Sequence, residues 1–219
     1  MNELLKEIRD MLSAEILGSS PNSHAIIQES KNNPKENEDC LKKITISVDE
    51  EFKDWFAFSP DDFLNGKNKG KVKKHSLFPL LKHDGDYQKT CDCVIALLDK
   101  KDILQLVFIE IKNSTDRSKK IAKIQLINTH NFFENALELK LKHLELSFDC
   151  ANGDEKNKLE KLKRNLENMF HNKKCSLVVI TADQRKPLIN QSSDEKKIRI
   201  IYNVRNGDTK NLKSLIRFK

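Results

Sequence analysis

The segment CDCVIALLDKKDILQLVFIEIKNS, residues 91–114, carries the side chains best spaced for chemistry: Asp92 at its start, Glu110 and Lys112 near its end. Between them lie two apolar runs, Val94 to Leu98 and Ile103 to Ile109, separated by a short charged turn containing KKD. Successive side chains of a strand point to opposite faces, so Glu110 and Lys112 project together. A hairpin brings Asp92 to the same end of the sheet, and a register that sets it on the same face leaves two carboxylates close enough to share a cation. Two such groups repel, and burying them requires a proton or a positive ion. Mg²⁺, with Mn²⁺ as a substitute, is the hard divalent ion that oxygen ligands select, and the backbone carbonyl of Ile111 offers a further oxygen. A bound ion of this kind activates water and offsets phosphate charge, with Lys112 beside the nucleophile or the transition state. The chemistry expected of such a group is phosphodiester hydrolysis.

The elements that must position these residues are readable around them. Both runs are apolar on both faces, which predicts a β-hairpin in the middle of a sheet, covered on each side. Ser114, Thr115 or Asp116 can cap a following helix whose apolar positions include Ile121, Ile124, Leu126, Ile127, Phe132, Phe133, Ala136 and Leu137, and which continues towards Leu146. After ANGD, the stripe Leu159, Leu162, Leu166, Met169 and Phe170 predicts a second helix. The periodic Leu4, Leu5, Ile8, Met11, Leu12 and Ile16 predict a first helix over 2–17, ended by Gly18. Ile44 to Val48 alternates as a strand, EEFKDWFAF clusters its aromatics as a short helix would, and CSLVVITA and KIRIIYNV close the chain as strands. The expected fold is α/β (α+β), a central mixed β-sheet flanked by helices, in a single domain over 1–219, with a helical insertion at about 138–172 and a mobile loop at about 18–40.

The 219 residues carry 40 Lys and Arg against 33 Asp and Glu, a net charge of +7, so a polyanionic partner is plausible on charge. Lys67, Lys69, Lys71, Lys73 and Lys74 crowd the stretch NGKNKGKVKKH, which cannot cover a core and is expected to be an exposed phosphate-contacting loop. Lys119, Lys120 and Lys123, opening the helix after the hairpin, are further candidates. The five cysteines, Cys40, Cys91, Cys93, Cys150 and Cys175, form no zinc-type spacing, and without a leader-like segment they point to a reducing cytoplasm. Cys91 and Cys93, two apart, are expected to share one strand face. No apolar run reaches the ~20 residues that span a bilayer.

With these residues in view, the chain resembles the PD-(D/E)xK nuclease superfamily, over about residues 86–137. CDCVIALLDKKDILQLVFIEIKNS is similar to the family's two catalytic strands, with Asp92 as the motif aspartate and Glu110 and Lys112 as its ExK. Cys91 stands where the motif's proline would be, and Asp84 and Asp86 in HDGDYQKT are rivals to Asp92. The resemblance implies a restriction-endonuclease-like αβββαβ core and a Mg²⁺-dependent nuclease of the restriction or defence type. It also implies a residue of the following helix facing the site, Gln125 or more weakly Lys123. A first-helix carboxylate is implied too, for which Glu7 is chosen over Glu3 and Glu15. DNA is the implied partner, with RNA left open beside it, and duplex cleavage, which takes two active sites, leads to the expectation of a homodimer. The alternative from another class is a noncatalytic nucleic-acid-binding subunit that keeps the fold. The six histidines lie scattered without a nucleophile motif, which gives a Cys- or His-based hydrolase little support.

Overall fold

The computed structural model describes residues 2–11, 24–28, 41, 43–49, 52, 54–58, 60, 90–112, 116–183 and 198–216. In chain order its elements are α1 (Glu3–Met11), β1 (His24–Gln28), β2 (Lys43–Ser47), β3 (Asp54–Phe58), β4 (Cys93–Leu98), β5 (Leu104–Lys112), α2 (Asp116–Cys150), α3 (Asp154–Asn172), β6 (Lys174–Thr181), β7 (Ile198–Ile201), β8 (Thr209–Asn211) and α4 (Leu212–Leu215). The doubly apolar strands take the central position that their pattern predicts. The main sheet has five strands in the order β3-β4-β5-β6-β7, antiparallel from β3 to β5 and parallel from β5 to β7. All six residues of β4 and eight of the nine in β5 are buried.

On one face Val94, Ala96, Leu106, Phe108, Leu177 and Val179 pack beneath the helices, meeting Leu5 and Ile8 of α1, Leu126, Phe133 and Leu137 of α2 and Leu166 and Phe170 of α3. On the other face Ile95, Val107, Ile109, Val178 and Ile180 meet Ile44 and Ile46 of β2, with Leu212 and Leu215 of α4. That second layer rests on a three-stranded sheet, β1-β2-β8, in which β2 pairs antiparallel with β1 and parallel with β8.

The turn between β4 and β5 is held by Asp99. Its Oδ1 accepts the N–H groups of Lys101 (2.8 Å) and Ile103 (3.0 Å), and its Oδ2 accepts the Gln105 amide at 3.2 Å. The Asp99 N–H donates to the Ile103 carbonyl at 3.1 Å, and Asp102 turns the chain with φ +58°, a left-handed conformation that Asp tolerates better than most residues. Past β5, a parallel partner needs a crossover. The 35 residues of α2, roughly 52 Å at 1.5 Å per residue, and the 19 of α3 supply it as a helical hairpin, closed by Leu166 and by the Lys163–Glu145 ion pair at 2.6 Å.

Two expectations are corrected. EEFKDWFAF does not form a helix: Asp54 to Phe58 is β3, paired from Asp54↔Leu98 to Phe58↔Val94. Phe56 enters the core under the helices and Ala57 the opposite one, so the stretch follows a two-residue period, which suits aromatic residues on a pleated surface. Cys91 and Cys93 do not share a face either. A bend at Asp92 interrupts the alternation, placing Cys91 in the core under the helices and Cys93 in the other. The first helix is described to Met11, and the remainder of the expected span lies outside the described residues, as does most of 18–40 apart from β1. Among the described residues no helix is long and apolar enough to cross a membrane.

Candidate active site

β4 and β5 pair from Leu98↔Leu104 to Cys93↔Ile109, and one further step along the ladder sets Asp92 opposite Glu110. Two buried hydrogen bonds fix that meeting. The Asp92 N–H donates to Glu110 Oε2 at 2.9 Å, and the Ile111 N–H donates to Asp92 Oδ2 at 2.7 Å. Each carboxylate therefore accepts a backbone amide from the strand segment facing it, which sets the spacing of the acids by the hairpin register rather than by free rotamers. Glu110 is fully buried and Asp92 is 8 % exposed.

Lys112 lies two residues on, and its ammonium forms an ion pair with Glu110 Oε1. That oxygen is buried and accepts no hydrogen bond of regular geometry, so the ammonium is its compensating charge. Burial pushes the Glu110 carboxyl well above its ordinary range, the neighbouring Asp92 charge pushes it the same way, and Lys112 opposes both. The Lys112 side chain is 17 % exposed, so it borders solvent.

The long helix closes the site from the sheet's helical face. Gln125, buried on α2, donates through Nε2 to the Thr90 carbonyl at 2.8 Å, while its Oε1 is buried without a hydrogen-bond partner. One turn on, Thr129 Oγ1 donates to the Gln125 carbonyl and accepts the Cys91 N–H, both at 2.8 Å. The segment entering Asp92 is thus hung from α2 at Thr90 and Cys91. Lys120, exposed, and Lys123, half-buried, belong to the same end of the helix.

Other expected residues fall elsewhere. Glu7 pairs through Oε2 with Lys140 Nζ at 3.1 Å, fifteen positions beyond Gln125 on α2 and roughly 22 Å along its axis, so the structure does not bring Glu7 to the Asp92–Glu110 pair. Lys67, Lys69, Lys71, Lys73, Lys74, Asp84, Asp86 and the side chain of Lys119 lie outside the described residues. Thr129 escaped the sequence reading because a lone threonine in a helix carries no pattern. Asp183, 3 % exposed, follows β6 two residues beyond Thr181, which pairs with Lys112 at the same end of the sheet, and no local pattern marks it in the sequence.

The donor set fits a hard divalent cation. Asp92 and Glu110 offer carboxylate oxygens, and the burial and mutual repulsion that raise the Glu110 carboxyl are what a bound cation would offset. The N–H and C=O of an extended residue point to the same neighbouring strand, so the Ile111 N–H on Asp92 sets the Ile111 carbonyl on that side also. The chain matches no protein-family model, no curated protein and no solved structure.

Proposed function

We propose that this chain is a metal-dependent endonuclease that hydrolyses phosphodiester bonds in DNA, of the restriction or defence type, built on the PD-(D/E)xK pattern. The observation that carries the reading is the pair of buried carboxylates, Asp92 and Glu110, locked face to face by two backbone amides with Lys112 on the same strand face. Charges so costly to bury are kept together where a cation and an anionic substrate meet them.

Asp92, Glu110 and the Ile111 carbonyl would hold Mg²⁺ or Mn²⁺, which when bound supplies Lewis acidity towards the scissile phosphate. Lys112 then faces a carboxylate whose charge is shared, and its ammonium is available to the negative charge that develops on the phosphate. Gln125 orders the chain at Thr90 and leaves its Oε1 as an acceptor in the same buried region. Lys120 and Lys123 suit backbone phosphates, contacts that position the duplex without reading its sequence. Cutting both strands calls for two such sites, and a homodimer supplies them.

The test is incubation of the purified chain with plasmid, linear and branched DNA in Mg²⁺ and in Mn²⁺, beside Lys112→Ala. Metal-dependent cleavage that Lys112→Ala abolishes while DNA binding persists is the expected result. Binding without cleavage by the native chain under both metals would overturn it in favour of a noncatalytic nucleic-acid-binding subunit, and cleavage restricted to RNA would change the substrate.

A further inference from the structure

A second group of ligating side chains lies apart from the acidic pair. His130 and Glu134 occupy one face of α2 at a four-residue spacing, and the exposed thiol of Cys175, the second residue of β6, reaches them. Their ligand atoms all lie within 4.8 Å of one another, and His130 Nε2 stands 3.7 Å from Glu134 Oε1. Cys175 pairs with Leu106, four positions before Glu110, which sets this group about 13 Å from the acids along β5 at 3.3 Å per residue.

We propose that His130, Glu134 and Cys175 form a binding site for a borderline transition-metal ion of the Zn²⁺ class. A tetrahedral ion with bonds of ~2.0–2.3 Å to nitrogen, oxygen and sulfur sets its ligands roughly 3.3–3.8 Å apart. The histidine–glutamate distance is already in that range, and the remaining separations need to close by no more than about 1 Å. The donor set of imidazole, carboxylate and thiolate selects against Mg²⁺, which takes oxygen.

The surroundings orient each ligand. Lys173 Nζ holds Glu134 Oε2 at 3.0 Å, leaving Oε1 turned to His130. The Phe108 ring lies 5.4 Å from the His130 ring at 54°, and His130 Nδ1 faces Asn131 Oδ1 at 3.5 Å, which directs Nε2 to the cluster. Binding releases the Cys175 thiol proton to solvent, so affinity rises with pH. The ion ties the middle of α2 to the start of β6, where the Lys173–Glu134 ion pair already links the two, and its fourth position is left to water.

Titration of the metal-stripped full chain with Co²⁺, in excess Mg²⁺ to occupy the oxygen site, tests the proposal. The expected result is a near-ultraviolet thiolate-to-cobalt charge-transfer band that saturates at one ion per chain and is displaced by Zn²⁺. Cys175→Ser should abolish the band, Cys150→Ser should keep it, and His130→Asn should weaken binding by at least about 10-fold. Should His130→Asn lower the metal-free melting temperature, Glu134→Gln replaces it with the same expectation. Absence of the band, or its persistence in Cys175→Ser, overturns the proposal.

Discussion

Glu110→Gln isolates the cost of holding a carboxylate where the protein buries it completely beside Asp92. The amide keeps the shape of the side chain, and its oxygen can still accept the Asp92 N–H now at 2.9 Å. What is removed is a buried charge that Asp92 repels. What is lost is the contact with Lys112, whose 17 % exposure and flexible stem let the ammonium turn to water instead of remaining stranded. Breaking a pair with one solvent-bordering member costs ~0–1 kcal/mol, and relieving a buried carboxylate that a like charge repels is expected to return ~0.5–2 kcal/mol. The net expectation is a metal-free protein more stable at neutral pH by about 1 kcal/mol, or ~2–4 °C for a chain of this size. The pH dependence has a definite sign. Because the folded-state value of Glu110 lies above its ordinary 4.5, the native state binds more protons than the unfolded one between the two values, and wild-type stability falls as pH rises through that window. The variant lacks this slope, so its advantage grows with pH above 4.5 and vanishes below it. Thermal melts in chelator across pH, repeated with Mg²⁺, read both effects. Mg²⁺ should raise the wild-type midpoint and leave the variant unmoved. A variant less stable than wild type in chelator at neutral pH, or one equally stabilised by Mg²⁺, refutes the reasoning.

Thr129→Val leaves the buried Cys91 N–H without its acceptor and should cost about 1–3 kcal/mol in urea unfolding; an unchanged midpoint would show that α2 does not hold that segment. Glu7→Gln removes an ion pair with Lys140 whose members are 31 % and 26 % exposed, so it should change stability by ~0–1 kcal/mol and leave cleavage intact. Loss of cleavage would return α1 to the site. Burial raises the Cys91 and Cys93 thiols well above their ordinary range, with Glu110 adding to the first and Asp92 to the second, so alkylation of native protein followed by peptide mapping should mark Cys150 and Cys175 and spare these two.

The central hairpin and the face shared by Glu110 and Lys112 were legible because they rest on short-range periodicity. Two uninterrupted apolar runs with a brief turn leave few registers, and one of them brings Asp92 to Glu110. β3 was misread because five residues with three aromatics suit a helix turn as well as an edge strand, and only pairing with β4 decides between them. Cys91 departed from its expected face because alternation fails at the Asp92 bend, a tertiary event set by the two amide-to-carboxylate bonds. The parallel pairing of β2 with β8 joins residues more than 160 positions apart and leaves no local trace. A separation of 41 to 45 positions likewise hid the meeting of Cys175 with Glu134 and His130, which depends on the length of the α2–α3 hairpin.

The Asp99 turn sits at the far end of the hairpin from Asp92, seven residues and about 23 Å away. Yet the count of residues in that turn decides which side chain faces Glu110. A slip of one position would turn Ile95, Leu97, Ile109 and their neighbours from one core to the other, a penalty borne by the whole sheet. The alignment of the acids is therefore guarded by bulk hydrophobicity remote from them. Drift in the surface residues around Asp99 is buffered as long as its length is kept, whereas a single-codon insertion there would disarm the site without touching any residue in it.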